Sequence, residues 1–509
     1  MSNPIIKLEN IKDFLVSSKP HVSLSSHDMH DLIESCGEII HDYVSLEPLS
    51  FSQPYFHDIL KQSCFDLLSF QFTNIYIGDM EETLNNIIER AHHIYFTKCV
   101  PIRSYDHTFV RKLPNKEKMT QKIEFLRNIP QPEQRTTAWY KYRYDLITAS
   151  NAWKALDSQS SINSLIYEKC MPLNLEKYDG LNTETPFHWG QKYEPLSVLI
   201  YESDYKTTVE DFGCLQSQDH SFLGASPDGV NVDSNSDLYG RMLEVKNIVN
   251  REITGIPKRE YWCQMQIQMG VCKLNECDFL ETRFVEYENE EAFHNDGDTF
   301  THTSDGEKKG IFMYFVKDRK VTYEYPDLYL SKEEFDKWEE KMMDKHEDKM
   351  WVKNLYWRLD QLSCVLVLRN QIWFNAAVKE FGDVWKIIEH ERIHGYEHRA
   401  PMKREKKEKV VIECNIDNSG CLINTEKVLY LQEDDNTTVN KTVNNDVNKT
   451  VNNTVNNDVN NDVNNDVNTT VNTTVNNDVN TTVNNDETIE PVSSFRIRSL
   501  SLDESKLNK

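Results

Sequence analysis

Hydrophobic and polar residues alternate along this chain with a helical period in several stretches. Apolar residues recur every three or four positions in the clearest of these, which is the spacing of one face of a helix. Glu194 is expected to begin one such helix, with Leu196, Leu199, Ile200 and Tyr201 along its apolar face. The predicted helices cover residues 28–44, 80–95, 194–201, 256–271, 332–349 and 373–394.

Shorter apolar runs, bounded by glycine, proline and aspartate, lie between the later helices and predict strands. A mostly helical beginning followed by alternating strands and helices predicts an α/β (α+β) fold with a mixed β-sheet flanked by helices. The predicted strands cover residues 207–212, 215–232, 242–249, 278–287, 310–325 and 356–369.

One turn and one strand together carry the strongest chemical pattern. Asp228 lies in a Pro-Asp-Gly turn, and the next strand contains Glu244 and Lys246 in an otherwise apolar run. Residues two apart on a strand share a face, so the carboxylate and the ammonium point the same way. Such charges are costly to bury unless they are paired or bind a metal. Two carboxylates on neighbouring strands are a site for a hard divalent cation such as Mg²⁺.

Each half of this pattern also has an ordinary structural explanation. A Pro-Asp-Gly turn is common between strands, and Glu-x-Lys is common on a half-exposed strand. The combination is more specific than either half, and its flanking residues add to it.

Four sequence blocks resemble the YqaJ-type viral recombinase family, the alkaline exonucleases related to phage lambda exonuclease. The likeness implies a catalytic core of the PD-(D/E)xK, restriction-endonuclease-like class. The size of the chain and its Asn-rich end most resemble the versions found in giant DNA viruses. In chain order, the blocks are Arg143 to Ser150, Gly190 to Glu194, Asp228 with Glu244 and Lys246, and Tyr261 to Gln266.

The resemblance implies a metal-dependent active site. Asp228, Glu244 and the carbonyl of Val245 would bind Mg²⁺ (or Mn²⁺), Lys246 would activate or orient the attacking water, and Glu194 would add a further carboxylate. For Glu194, a favourable position at a helix N-terminus is the alternative explanation.

A phosphate-binding set is implied as well. The family's phosphate anchor is an Arg and a Ser seven residues apart, matched here by Arg143 and Ser150. Gln264 would contact phosphate or the nucleophilic water. A polar helix edge is the alternative explanation for Gln264, which shares a helix face with Gln268 but not with Gln266.

The stretch from residue 111 to residue 143 is basic and ends in aromatic residues. It holds nine Lys and Arg against three Glu, and Trp139, Tyr140, Tyr142 and Tyr144 lie among or beside its last basic residues. Basic side chains bind phosphates and aromatic rings stack on bases. A connecting helix with a solvated face is the alternative, and the position next to Arg143 favours nucleic-acid contact.

Composition limits the remaining possibilities. The net charge of −25 argues against a general nucleic-acid coat protein, although a local basic groove remains compatible with it. The eleven cysteines include no CxxC pair, which argues against zinc and fits a reducing compartment. No apolar run is long enough to cross a bilayer, so no membrane partner is expected.

Four regions are predicted. They are a helical N-terminal module of unknown role (1–110), a nuclease domain (111–400), a linker (401–431) and a disordered tail rich in Asn, Val and Thr (432–509). In the tail, valine recurs every fourth residue from Val439 to Val483 as the only apolar residue, which is too sparse to form a core.

The expected function is a metal-dependent exonuclease, 5′→3′ on linear double-stranded DNA, in viral recombination, repair or genome processing. An endonuclease on the same core and a non-catalytic DNA-binding scaffold are the alternatives. Expected partners are DNA ends, a single-strand annealing protein and a second copy of the chain. The expected location is inside an infected host cell, in a cytoplasmic viral factory or the nucleus, or in the virion, and not secreted.

Overall fold

Eight strands form one mixed β-sheet in the computed structural model. Seven of them lie in the order β10-β9-β11-β8-β7-β6-β3, and β1 pairs with the far part of β11. Only β7 and β8 run parallel to each other, and the other pairs are antiparallel. These strands are β1 (Tyr105–Asp106), β3 (Val209–Glu210), β6 (Gly229–Asn231), β7 (Met242–Asn247), β8 (Glu276–Glu286), β9 (Lys309–Lys317), β10 (Lys320–Glu324) and β11 (Met350–Leu368).

A second sheet, of three strands, is formed by segments close in sequence to Asp228 and Ser150. It consists of β2 (Ile147–Thr148), β5 (Leu223–Ala225) and β4 (Leu215–Gln216), with β2 parallel to β5. Strand β5 ends three residues before Asp228, and β2 leads directly into Ser150. The small sheet therefore brings the turn and the Arg143–Ser150 segment together.

The structure describes residues 24–72, 80–107, 109, 115–134, 136–173, 186–318, 320–401, 410–412 and 428–430. The chain divides into two compact units, residues 1–402 and 403–509. In the second unit the described residues form an antiparallel pair, β12 (Val410–Ile412) with β13 (Val428–Tyr430). The tail predicted at 432–509 and most of the predicted linker lie outside the described residues, and the predicted domain boundaries stay predictions.

Twelve α-helices are present among the described residues. None of them is both long enough and apolar enough to span a bilayer. The helices are α1 (Ser26–Leu46), α2 (Phe56–Gln71), α3 (Met80–Lys98), α4 (Lys116–Asn128), α5 (Thr137–Tyr144), α6 (Ala149–Ala152), α7 (Gln159–Cys170), α8 (Pro186–Tyr205), α9 (Arg259–Cys272), α10 (Glu290–Asn295), α11 (Lys332–Lys345) and α12 (Gln371–His394).

The N-terminal helices form because each has one apolar stripe and a defined start. Ser25 caps α1 through a capping box with Asp28, and Ile33, Cys36, Ile40 and Val44 point inward at helical spacing. The stripes of α2 and α3 join the same core, which continues into α9 and α12. The predicted helices at 28–44 and 80–95 are thus confirmed.

Strand β7 is covered on both faces. Leu243 and Val245 pack with Tyr201 of α8, whereas Glu244 and Lys246 point toward α9. Four of its six residues are buried, the apolar Met242, Leu243 and Val245 together with the charged Glu244. The predicted α/β fold, with a mixed sheet flanked by helices, is confirmed.

The prediction that Glu194 begins a helix was wrong. Helix α8 starts at Pro186, two turns earlier, and contains Pro195 in its interior. Its first turns are anchored by polar and aromatic contacts, for example between His188 Nε2 and the Tyr323 hydroxyl at 2.6 Å, so an apolar period could not reveal them. The position of Glu194 is therefore not explained by a helix start.

Two other boundaries also differ from the prediction. Strand β11 begins at Met350, six residues before the predicted start, because its first residues pair with β9 while their side chains stay exposed. Helix α9 begins at Arg259, three residues after the predicted start. Neither difference moves a proposed site residue.

Candidate active site

The two carboxylates of the turn-and-strand pattern lie on adjacent strands. Asp228 immediately precedes β6, whose Gly229 pairs with Leu243 of β7. The Asp228 Oδ2 atom accepts a hydrogen bond of 2.8 Å from the backbone N–H of Val245. This bond fixes the Asp228 side chain against β7, beside Glu244.

Glu244 is fully buried, and both its carboxylate oxygens have partners. Oε1 accepts a hydrogen bond from the ammonium of Lys246, and Oε2 accepts one of 2.7 Å from Gln268 Nε2. The Lys246 ammonium also lies 5.3 Å from the centre of the Tyr261 ring. Glu244 is therefore held rigidly in an orientation set by α9.

The charges of this cluster repel one another. Burial, followed by the charges of Glu244 and Glu194, raises the pKa of Asp228 well above its usual value. Although burial acts in the opposite direction, the charges of Glu244 and Asp228 hold the pKa of Lys246 above its usual value. Asp228 and Glu244 thus face one ammonium, an excess of negative charge that a divalent cation would neutralise.

Glu194 lies close enough to Asp228 for its charge to act there, although it comes from α8 on the opposite side of β7. It also lines a cavity of about 570 Å³. The acidic groups Glu133, Glu210 and Asp211 line the same cavity. The structure therefore brings Glu194 to the two other carboxylates, and the cavity around it is acidic.

Arg143 and Ser150 lie side by side, as the seven-residue spacing predicts. Arg143 Nη2 is 3.4 Å from the Ser150 hydroxyl and 3.4 Å from the Thr148 hydroxyl. The guanidinium lies 4.2 Å from the centre of the Trp139 ring, and Ser150 is exposed. These long, shared bonds leave donors of the guanidinium available to an anion, while stacking on Trp139 fixes its plane.

Ser226 connects the arginine to the carboxylate cluster. Its hydroxyl is 3.5 Å from Arg143 Nη1, and its carbonyl accepts a hydrogen bond of 3.3 Å from Gln268. The same Gln268 amide donates to Glu244. A phosphate held by Arg143 would therefore lie next to the carboxylates.

The three glutamines of α9 have different surroundings. Gln266 is buried and bonds the Leu368 carbonyl and the Asn370 N–H, which is a structural role. Gln268 bonds Glu244, and Gln264 is half-buried one turn earlier on the same face. The face shared by Gln264 and Gln268 is therefore the one directed at the site, and the role of Gln264 stays a prediction.

Two basic residues of the stretch before Arg143 are engaged within the protein. Arg127 Nε donates to Glu210 at 2.9 Å, and Lys122 donates to the carbonyl of Lys273 at 2.8 Å. Lys141 is exposed on α5. Arg111, the start of the stretch, lies outside the described residues. Lys116 and Lys118 of α4 are also exposed, so nucleic-acid contact by this stretch stays a prediction.

A second group of potential metal ligands lies on the other face of β8. The ligand atoms of His107, Asp278 and Cys364 are all within 4.8 Å of one another. Asp278 already accepts hydrogen bonds from Arg241 at 3.0 Å, from Tyr201 at 2.7 Å and from His107 at 3.1 Å. Because Arg241 supplies the positive charge that a cation would bring, this group is best explained as a structural ion-pair network.

Several residues of the site were not predicted from the sequence. Gln268 could have been found, because it lies one turn from Gln264 on the same face. Ser226 gave no chemical signal of its own, and Trp139 was expected to stack on bases, whereas in the fold it packs against the Arg143 guanidinium. Glu281 of β8 lies opposite Lys246 in the parallel register and is only 1% exposed. Its strand has five charged residues among eleven, so Glu281 does not stand out in the sequence.

Comparison with known proteins agrees with the sequence blocks. The family described as YqaJ-like viral recombinase domain matches residues 138–275, a segment that contains all four blocks. The predicted resemblance to this family is therefore confirmed over that segment.

An uncharacterized protein of Acanthamoeba polyphaga mimivirus is 28% identical over 352 residues, which are 62% of this chain and 61% of the mimivirus protein. The chain thus matches about three fifths of the length of this curated relative. The predicted likeness to giant-virus versions is confirmed.

Two solved structures of an alkaline exonuclease from Laribacter hongkongensis also match. The first is 18% identical, with a TM-score of 0.31, and the match covers 52% of this chain and 98% of that chain. The second, a complex with dAMP, is 18% identical with a TM-score of 0.30 over the same shares of the two chains.

Proposed function

We propose that this protein is a metal-dependent DNA exonuclease that degrades one strand of linear double-stranded DNA, in the 5′→3′ direction. The observation that carries the proposal is the adjacency of two sites. The first site is the pair of carboxylates Asp228 and Glu244 with Lys246. The second is the Arg143 guanidinium, and Ser226 lies between the two sites, with its hydroxyl 3.5 Å from Arg143 Nη1. The YqaJ-like family match over the same residues supports it.

The carboxylate cluster fits a hard divalent cation, Mg²⁺ or Mn²⁺. Its oxygen ligands carry excess negative charge, as the raised pKa of Asp228 indicates, and include no soft ligand. Asp228, Glu244 and the Val245 carbonyl would hold the cation, and Glu194 would add a further carboxylate. When bound, it would polarise a phosphate oxygen and lower the pKa of a nearby water.

The protein's own groups would then orient the reactants. Arg143 and Ser150 would bind the terminal 5′ phosphate with charge-assisted hydrogen bonds. Lys246 would orient the attacking water, and Gln264 would contact that water or the phosphate. Attack by water on the phosphorus of the first internucleotide phosphodiester would break its bond to the 3′ oxygen of the terminal nucleotide. That oxygen would leave as a hydroxyl after it gains a proton lost by the attacking water.

The decisive experiment is digestion of linear duplex DNA labelled at either the 5′ or the 3′ end. We expect degradation with Mg²⁺, none with EDTA, and early release of the 5′ label. A covalently closed circle of the same sequence is the matched control, because an exonuclease needs an end. Cleavage of the circle would favour the endonuclease, and binding without any cleavage would favour the non-catalytic scaffold.

The biological setting belongs to the same proposal. We infer a role in viral DNA recombination, repair or genome processing, with a single-strand annealing protein and a second copy of the chain as partners. The expected compartment, a viral factory, the nucleus of the host cell or the virion, stays a prediction. Co-purification of the tagged protein from infected cells would test the partners.

A further inference from the structure

Glu281 is a buried carboxylate with one oxygen that has no partner. It is 1% exposed, and its Oε1 atom accepts a hydrogen bond from Arg251. No described residue donates to its Oε2 atom, which is also shielded from solvent. An unpaired buried oxygen of a charged group is costly, so its presence needs an explanation.

Glu281 lies on the active-site side of the sheet. In the parallel pairing of β7 with β8, Lys246 is the partner of Glu281, and Glu244 is the partner of Phe279. Residues paired in this way on adjacent strands point to the same face, about 5 Å apart. Arg251, which holds Glu281, lies 5.5 Å from the centre of the Tyr261 ring, and Lys246 lies 5.3 Å from the same ring.

Lys246 and a cation would compete for the same oxygen of Glu244. In the structure Lys246 bonds Oε1, and Gln268 bonds Oε2, so neither oxygen of Glu244 is without a donor. A cation that binds Glu244 through Oε1 has to displace the ammonium. The displaced ammonium then needs another acceptor, and a lysine side chain is long and flexible enough to reach across one strand.

We propose that Glu281 is a positioning residue for Lys246: its unpaired oxygen accepts the lysine ammonium when a divalent cation occupies Asp228 and Glu244. The inference rests on the proposed function, because it requires the cation site. With the cation bound, Lys246 would be held by Glu281 instead of Glu244, in a position to orient the attacking water. Without Glu281, the ammonium would stay on Glu244 and oppose the cation.

A double-mutant cycle on cation affinity tests this role without an activity assay. Ca²⁺, a hard cation with oxygen ligands, is titrated by calorimetry into the full-length protein without DNA. Glu281→Gln keeps the shape and an oxygen for Arg251, and we expect it to weaken Ca²⁺ binding about tenfold, the effect of losing one charge-assisted bond. In a Lys246→Met background the same change should alter the affinity by less than about twofold.

Glu276→Gln is the matched control. Glu276 lies on the same strand, paired with Arg241 at 3.1 Å, and is five residues from Glu281. It should leave Ca²⁺ affinity unchanged. An equal loss for Glu281→Gln in both backgrounds would overturn the proposal, since Glu281 would then act as a ligand or as a general charge. No loss in either background would overturn it too.

Turnover gives a second readout. At saturating Mg²⁺, Glu281→Gln should lower kcat about tenfold and leave KM for DNA within about twofold, because it misplaces Lys246 without touching the phosphate site. An unchanged kcat, or a change in KM alone, would contradict the role. If the wild-type protein degrades DNA with Mg²⁺ but the double-mutant cycle shows no coupling between Glu281 and Lys246, only this inference is wrong. If the wild-type protein does not degrade DNA with Mg²⁺, the proposed function itself is wrong.

Discussion

Two groups of buried charges lie on opposite faces of β7 and β8, and they are built differently. On the face toward α9, Asp228 and Glu244 share one cation, Lys246, and the charge of Glu194 reaches Asp228 from α8. On the other face, Asp278 and Glu276 share Arg241, and Tyr201 and His107 complete the hydrogen bonds of Asp278. The first group has too little positive charge and the second is nearly balanced. Buried clusters with excess negative charge are typical of functional sites that bind a cation, whereas paired clusters are typical of structural ion-pair networks.

The sharpest test of this contrast is removal of one carboxylate from the crowded group. Glu244→Gln or Asp228→Asn should lower DNA cleavage about a thousandfold or more, because each removes a charged ligand of the cation. Melting temperature in EDTA should stay the same or rise, since the repulsion is relieved. DNA binding, measured by gel shift, should persist. Unchanged cleavage by either purified variant would refute the metal site.

The balanced group should respond in the opposite way. Asp278→Asn leaves Arg241 buried with a weaker partner, and breaking such a buried pair costs about 3–5 kcal/mol of unfolding free energy. Urea denaturation followed by circular dichroism measures it. Asp360→Asn, in a half-exposed pair with Arg283 at 3.6 Å, is the control and should cost less than about 1 kcal/mol. A loss of cleavage without a loss of stability for Asp278→Asn would contradict the structural assignment.

The contrast also shows what the sequence could reveal. Asp228, Glu244 and Lys246 were predictable because a charged pair in an apolar strand stands out, and the strand pairing follows from the turn. The sequence could not reveal the role of Asp278, which is one of five charged residues among the eleven of β8. Its partners come from residues 201, 241 and 107, and only the tertiary fold shows that its charge is already neutralised.

The same limit explains the misplaced start of α8. Its first two turns contain His188, Lys192 and Tyr193, which are all buried. His188 contacts Tyr323 of β10, 135 residues later in the chain, and Tyr193 contacts Glu286 of β8, 93 residues later. Local periodicity carries no information about such contacts. The helices predicted at residues 28–44, 80–95, 256–271, 332–349 and 373–394 were found within four residues of the predicted bounds. Helices α2, α4 and α7, which contribute to the same core, were not predicted individually.

Substitution of Arg143 tests whether the carboxylate cluster acts on DNA whose 5′ phosphate is bound at the adjacent arginine. We expect the wild-type protein to digest 5′-phosphorylated ends roughly tenfold to a hundredfold faster than 5′-hydroxyl ends, the effect of charge-assisted bonds to a terminal phosphate. Arg143→Ala should erase the preference and leave Ca²⁺ affinity unchanged. Lys141→Ala, an exposed cation on the same helix, should keep it. Equal wild-type rates on both ends would reject the anchor.

A third buried polar group, in the N-terminal helices, should give a pH dependence that neither sheet cluster gives. His57 Nδ1 lies 2.9 Å from His92 Nε2, and the His57 Nε2 atom accepts the Arg103 N–H at 3.0 Å. Burial, and then nearby positive charges, lower the pKa of His57 to about 3 and that of His92 to about 4, from 6.5. Both are therefore neutral in the folded protein at pH 5, where the unfolded chain binds the protons.

Stability from these histidines is complete above pH 6.5 and is lost as the pH falls toward their folded pKa values. For His92 the loss is about 2 kcal/mol between pH 7.5 and pH 5. His92→Gln retains an acceptor for His57 and should show a correspondingly smaller fall in melting temperature over that range. His93→Gln, at an exposed neighbour, should behave like the wild type. Identical pH profiles for all three proteins would contradict the buried neutral pair.

The smallest effect is expected from deletion of residues 432–509. Valine is the only apolar residue in the repeats from Val439 to Val483, so this segment can remove little apolar surface from water. The three buried polar groups all lie before residue 400, and each finds its partners there. Nuclease rate on linear DNA and melting temperature should therefore match those of the full-length chain within error. A fall in melting temperature of several degrees would mean that the segment makes stabilising contacts that its composition does not predict. It would also mean that the stability of the folded protein depends on residues beyond the three buried polar groups and their partners.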